Sequence, residues 1–165
     1  MTHFASEAET DRWFVILDGV MGGRSDGELA FADSALAFTG VINTNGGGFS
    51  SFRLDLDEGA MAGVTQVMMR TRSDGRAYEL TFQDSVARTG RLISHQVAIP
   101  ATSPDDWATV TAQLSDLEAS AFGNPIDTEA FEPARATQLG VILADGIDGP
   151  FELEIDWIDL CGSVA

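Results

Sequence analysis

The chain has 165 residues, 44% of them apolar and 8% aromatic, which is enough for one globular domain with its own core and too apolar for a disordered segment. Its 26 acids outweigh 9 bases, all arginine, for a formal net charge of −17, and such a field argues against nucleic acid or an anionic membrane surface as partner. No apolar run nears the ~20 residues of a membrane helix, no basic-then-apolar leader precedes Trp13, and the single Cys161 cannot close an internal disulfide. The expectation is a cytoplasmic protein that is not embedded in a membrane.

Strand signals dominate the chain order. The first notable stretch is not a strand: DGVMGGRSDG, Asp18 to Gly27, holds four glycines around Val20-Met21. Next, GELAFA and ALAFTGVI flank Asp33-Ser34 and predict a hairpin. A glycine run at 46–48 leads into FSSFRLDL, where Phe52, Leu54 and Leu56 share one face and Arg53 and Asp55 the other. VTQVMMRTR and RAYELTFQD flank Asp74-Gly75, which predicts a second hairpin with a type I′ turn. In that register Thr71 faces Tyr78, Met69 faces Leu80, and Arg70 lies opposite Glu79. RLISHQVAI and WATVTAQL are two further strands, with His95 a half-buried structural residue on the face of Ile93, Val97 and Ile99. An irregular connection follows from Ser115 to Arg135, with a helical turn at SDLEA. ATQLGVILA is almost wholly apolar, as a strand buried on both sides should be. In FELEIDWIDL, Phe151, Leu153, Ile155 and Trp157 alternate with Glu152, Glu154, Asp156 and Ile158. Nine or ten strands and no amphipathic helix predict an all-β fold: a single antiparallel β-sandwich of the jelly-roll kind, one domain over residues 1–165 with a core of about 12–161.

Several chemistries are missing. A dinucleotide loop must open into a helix, whereas the residues after Gly23 run into a strand; a P-loop needs a lysine. There is no G-x-S-x-G elbow. His3, His95 and Cys161 are too few for a His/Cys metal centre, so no metal and no cofactor is expected. DGIDGP, Asp145 to Pro150, could offer oxygen ligands to calcium but reads as a turn. No pair of acids stands out for acid–base work, and no catalytic residue is assigned.

The motifs in hand resemble the complex I intermediate-associated protein 30 domain. Trp13, Asp18, Val20, Met21, Gly22, Gly23 and Ser25 match its W-x-x-x-x-D-x-V-M-G-G-x-S block. Phe38 and Gly40 match F-x-G, and Gly47, Gly48, Phe49 and Arg53 match G-G-F-x-x-x-R. RTRSDGRAYELTF and GPFELEIDWI extend the likeness over nearly the whole chain, while WATVTAQLSDLEA lacks the proline and phenylalanines of the family segment. The resemblance implies a galactose-binding-like β-sandwich and a non-enzymatic role: a protein partner, a respiratory complex subunit or assembly factor, bound as a chaperone binds. The alternative is a carbohydrate-binding module taking a small glycan, with Trp13, Trp107, Trp157 and Tyr78 as its available rings; Trp157 and Tyr78 fall on apolar faces. The glycine loop reads either as a rigid corner, with Val20 and Met21 plugging the end of the sandwich, or as a binding lip shared with Asn45–Gly48. Candidate partner- or ligand-binding residues are Asp18, Arg24, Ser25, Asn45, Arg53, Arg70 and Arg72. Arg70 is read first as the cross-strand partner of Glu79, and otherwise as a ligand contact.

Overall fold

The structure is a computed structural model that describes residues 2–4, 6–86 and 93–162. Its strands run in chain order as β1 (Thr2–His3), β2 (Phe14–Leu17), β3 (Asp26–Ala32), β4 (Ala35–Ile42), β5 (Ser50–Asp55), β6 (Val64–Ser73), β7 (Tyr78–Asp84), β8 (Ser94–Ala98), β9 (Ala108–Gln113), β10 (Glu118–Ala121), β11 (Asn124–Pro125), β12 (Ala136–Leu143) and β13 (Gly149–Gly162). They form two antiparallel sheets, ordered β3-β4-β13-β6-β9 with β1 also on β13, and β11-β10-β8-β7-β12-β5-β2. The all-β sandwich is therefore as expected. One helical turn, α1 (Glu7–Thr10), precedes β2. No helix among the described residues is long and apolar enough to cross a membrane.

Period-two alternation builds the core. Phe38, Phe151, Leu153, Ile155, Val67 and Met69 face inward from the six-stranded sheet; Phe52, Leu80, Phe82, Val141 and Leu143 meet them from the other. Rings of Phe38, Phe52, Trp13 and Phe4 stack edge-on through the middle. Each fully buried side chain of this kind contributes about 1.5–3 kcal/mol. The hairpin at Asp33-Ser34 forms as expected, with both turn residues at positive φ, 50° and 63°. Strand β12 lies between β7 and β5 in its sheet, and its residues from Leu139 to Leu143 are all buried.

The second expected hairpin does not form. Strands β6 and β7 lie in different sheets, so the chain crosses the sandwich at Asp74-Gly75. The inward residues of the two strands face each other across the core instead of lining one ribbon. The crossing is tied to β13 rather than folded back on β6: the Asp74 carboxylate accepts the Glu152 amide, and Arg76 reaches the carbonyls of Ile147, Gly149 and Pro150. Arg70 is consequently not opposite Glu79. Its register partners are Trp157 on β13 and Thr109 on β9.

The closing strand also departs from simple alternation. A register shift between Ile155 and Trp157 turns Ile158 into the core, where it is 2% exposed, and leaves Trp157 half-buried. Strands β8 and β9 exist but sit in different sheets, and the first two residues of RLISHQVAI lie outside the described residues. His95 is 2% exposed and packs on Phe131, more deeply placed than expected. The expected irregular stretch 115–135 contains β10 and β11, and its helical turn is a 3-10 turn at Leu114–Asp116.

Candidate functional site

Three loops meet at one end of the sandwich: 18–25 after β2, 43–49 after β4 and 144–148 before β13. Asp18 holds the first two together. It is wholly buried, and its carboxylate accepts the Ser25 amide at 3.0 Å, the Ser25 hydroxyl at 2.6 Å, the Gly48 amide at 2.6 Å and the Phe49 amide at 3.3 Å. Burial pushes this carboxyl upward, but the Ser25 hydroxyl and the three amides outweigh it and hold Asp18 below the usual carboxylate range. A Cβ on Gly23 or Gly47 would fall on the Asp18 carboxylate, so both glycines are there for close approach. Gly22 has a different reason, a left-handed φ of 86° that closes the 3-10 turn Asp18–Met21. Asp148 accepts the Thr44 amide at 2.6 Å and joins the third loop to the second. Arg76 locks the third loop from beneath through two bonds to Asp145, at 2.6 and 2.9 Å, and these hold the Asp145 carboxyl well below its ordinary value.

This bracing presents an apolar knob. Val20 is 82% exposed and Met21 61% exposed, the reverse of the expected plug. The reason is geometric: Asp18 occupies the interior end of the turn, so Val20 and Met21, at its other end, are carried outward. Ile147 is exposed on the neighbouring loop. Ser25 is a buried part of the Asp18 brace; Arg24 and Asn45 are exposed on the same rim.

The other candidate arginines lie elsewhere, on two opposite outer faces. On the six-stranded sheet, Arg72 forms a two-pronged ion pair with Glu154, Arg70 pairs with Asp156, and both guanidiniums stack on Trp107 at 4.8 and 5.2 Å from its centroid. A cavity of about 180 Å³ beside them is lined by Arg72, Ser73, Pro104, Glu152 and Glu154.

On the seven-stranded sheet, one transverse row runs Phe14, Arg53, Gly140, Thr81, Gln96 and Glu118 across six strands. Arg53 lies flat along this face, bonded to Ser51 Oγ and Gln138 Oε1 at 3.3 Å each. Gly140 makes room, since a Cβ there would sit 2.8 Å from Arg53 Cγ. No carboxylate pairs with Arg53 among the described residues, and burial pushes its pKa down. In the next row Glu79 is pushed up by burial and by Glu118. Of the rings named as sugar platforms, Trp13 and Tyr78 are core residues, Trp157 is half-buried, and Trp107 carries the two arginines.

The sequence model of the family described as "Complex I intermediate-associated protein 30 (CIA30)" matches residues 2–155. The chain belongs to this family. Among solved structures, this family member is similar to a family 11 carbohydrate-binding module from Clostridium thermocellum in complex with a β-1,3-1,4-mixed-linked tetrasaccharide, at 13% identity and a TM-score of 0.65, covering 93% of this chain and 90% of that one. A family 11 module of a cellulosomal cellulase of the same organism matches at 14% identity and 0.65, over 92% and 86% of the two chains. A family 30 module of another cellulosomal cellulase from that organism matches at 15% and 0.55, over 85% and 91%. At these identities the likeness is one of fold. Within the block, Asp18, Gly23 and Ser25 build the brace together with Gly47, Gly22 closes the turn, and Val20-Met21 is the part left outside. Sequence reasoning missed the exposure of that pair. The sequence carried no signal of it, because only the fold shows that Asp18 is buried and that Gly23 and Gly47 close on it.

Proposed function

We propose that this domain is a non-enzymatic binding domain that docks onto a protein partner, as expected of an assembly factor of a respiratory complex. The observation that carries the reading is the Val20-Met21 knob, two exposed apolar side chains held on a rigid bracket in a strongly acidic protein. Solvating such a pair has no folding advantage, whereas burying it in a partner's pocket gains about 25 cal/mol per Å². Membership of the CIA30 family supports the same reading. Affinity capture from the native host with the wild-type domain should recover subunits of one complex. The double substitution Val20→Ser and Met21→Ser should abolish that recovery with stability within about 0.5 kcal/mol of wild type. Equal recovery by both proteins would rule out the knob.

A second reading, a carbohydrate-binding module, draws support from the fold of the solved structures and from Arg53, which pairs with no carboxylate among the described residues.

A further inference from the structure

We infer that the outer face of the seven-stranded sheet, centred on Arg53, Thr81 and Glu79, binds a neutral oligosaccharide; the inference rests on the carbohydrate reading and gives it a place.

The face points away from the core, yet four of its side chains are buried: Ser51 at 0%, Thr81 at 2%, Gln83 at 8% and Ile142 at 9% exposure. Strand register sets their direction, because Thr81 lies between the inward Leu80 and Phe82, and Ser51 precedes the inward Phe52. The Thr81 hydroxyl makes no hydrogen bond among the described residues, although it is buried. Such a group ordinarily has a partner; Thr81 lies on the outer side of its strand with its hydroxyl covered, so a ligand reaches it only when a neighbouring side chain moves. Its register neighbour across Gly140 is Arg53, a partly desolvated guanidinium with amide and hydroxyl contacts but no carboxylate among the described residues. The contrast with the opposite face is informative, since Arg70 and Arg72 there each find a carboxylate.

The chemistry of the face selects the ligand class. It offers a fixed donor in Arg53, acceptors in Glu79 and Glu118 and the amide of Gln83, with the Thr81 hydroxyl covered behind them; both ends of Gln138 are already taken, by Arg53 and Asp55. Adjacent hydroxyls of a sugar need that mixture within a few ångströms, each hydroxyl giving one hydrogen bond and taking others. An anionic ligand would meet Glu79 and Glu118 as well as the field of a −17 domain, so a neutral chain is favoured. Phe14, 37% exposed at the end of the row, supplies a ring against which a sugar's apolar face can pack.

Titration of the labelled domain followed by amide NMR tests this, with a β-1,3-1,4-mixed-linked glucan tetrasaccharide, cellotetraose and xylotetraose as neutral probes and a tetragalacturonate as anionic control. The expected result is a saturable shift of the Gly140, Thr81 and Gln96 amides with at least one neutral probe and none with the control. Arg53→Met and, separately, Thr81→Val should each weaken that binding by about tenfold, the loss of roughly one hydrogen bond. Two variants are used so that a folding defect in one does not hide the answer. Shifts mapping instead to the 18–25 rim or to the six-stranded sheet would overturn the site while leaving the carbohydrate reading in place. No saturable shift with any of the three neutral probes would overturn both. Tighter binding of the tetragalacturonate than of every neutral probe would overturn the ligand class.

Discussion

The loop rim and the outer face of the seven-stranded sheet treat buried charge in opposite ways. At the rim every buried charge is answered from within the chain: Asp18 by four hydrogen bonds, Arg76 by a carboxylate and three carbonyls. On the sheet face Arg53 and Glu79 are drawn out of water with no ion pair to an opposite charge among the described residues. The first arrangement makes a rigid support and leaves function to what it carries, the Val20-Met21 knob. The second stores unsatisfied polar capacity, which costs stability in the free domain and is released on binding.

The comparison can be broken most sharply at Asp18. Asp18→Ala strands three backbone amides and the Ser25 hydroxyl, and should cost roughly 3–5 kcal/mol in urea denaturation, with loss of partner binding because the knob is freed. Arg76→Met comes next. It leaves Asp145, whose side chain is 5% exposed, without its partner, and should cost about 3 kcal/mol by the same measurement. If either substitution proved neutral, the rim would not be the rigid element described.

Smaller effects carry opposite signs on the sheet face. Glu79 is raised in the folded state, so its penalty is absent at low pH and grows as pH rises through the unfolded value of about 4.3. Glu79→Gln should therefore stabilise the domain at neutral pH, by a few tenths to about 1 kcal/mol, with the gain vanishing in acid. Asp18 and Asp145 behave in reverse. Both are lowered on folding, so their contribution is full above an unfolded value near 4 and is lost as pH falls through their folded values. Urea midpoints measured from pH 7 down to pH 3 should fall for wild type, and fall less steeply for Asp145→Asn. Arg53→Met should change stability least, within about 1 kcal/mol, because it removes a desolvated charge that has no ionic partner. A large loss at Arg53 would show that it serves the fold and would erase the contrast with the rim.

Much of this molecule was legible beforehand where one face of a strand is wet. FSSFRLDL and the Asp33-Ser34 hairpin follow from alternation and turn chemistry alone. The failures share one cause: sequence periodicity reports which face of a strand is buried, but not which sheet the strand joins. Met69 and Leu80 are correctly inward under either pairing, so nothing local distinguished a ribbon from a crossing at Asp74-Gly75. The decisive contacts, Arg76 to Asp145 and Asp74 to the Glu152 amide, join residues 69 and 78 positions apart. The bulge after Ile155 is hidden for a similar reason, since Trp157 and Ile158 are both apolar and either could continue the inward face. Of the polar groups expected together at a glycine-loop lip, Arg24, Ser25 and Asn45 lie on the rim, but the fold puts Arg53 on the seven-stranded sheet and parts it from Arg70 and Arg72 by the thickness of a sandwich.

The crossing at Asp74-Gly75 also governs how the chain must fold. With β6 and β7 in different sheets, each needs a strand from the far end of the chain: β13 for β6, as in Arg72 with Glu154 82 residues away, and β12 for β7 and β5, as in Asp55 with Gln138 83 residues away. Both sheets thus take an interior strand from residues 136–162. A nascent chain that has emerged only as far as residue 135 holds both halves of the sandwich without either spine, its inner faces open and its strand edges unpaired. Such high contact order makes for slow, late and concerted folding, and it places the period of greatest aggregation risk during synthesis rather than after it.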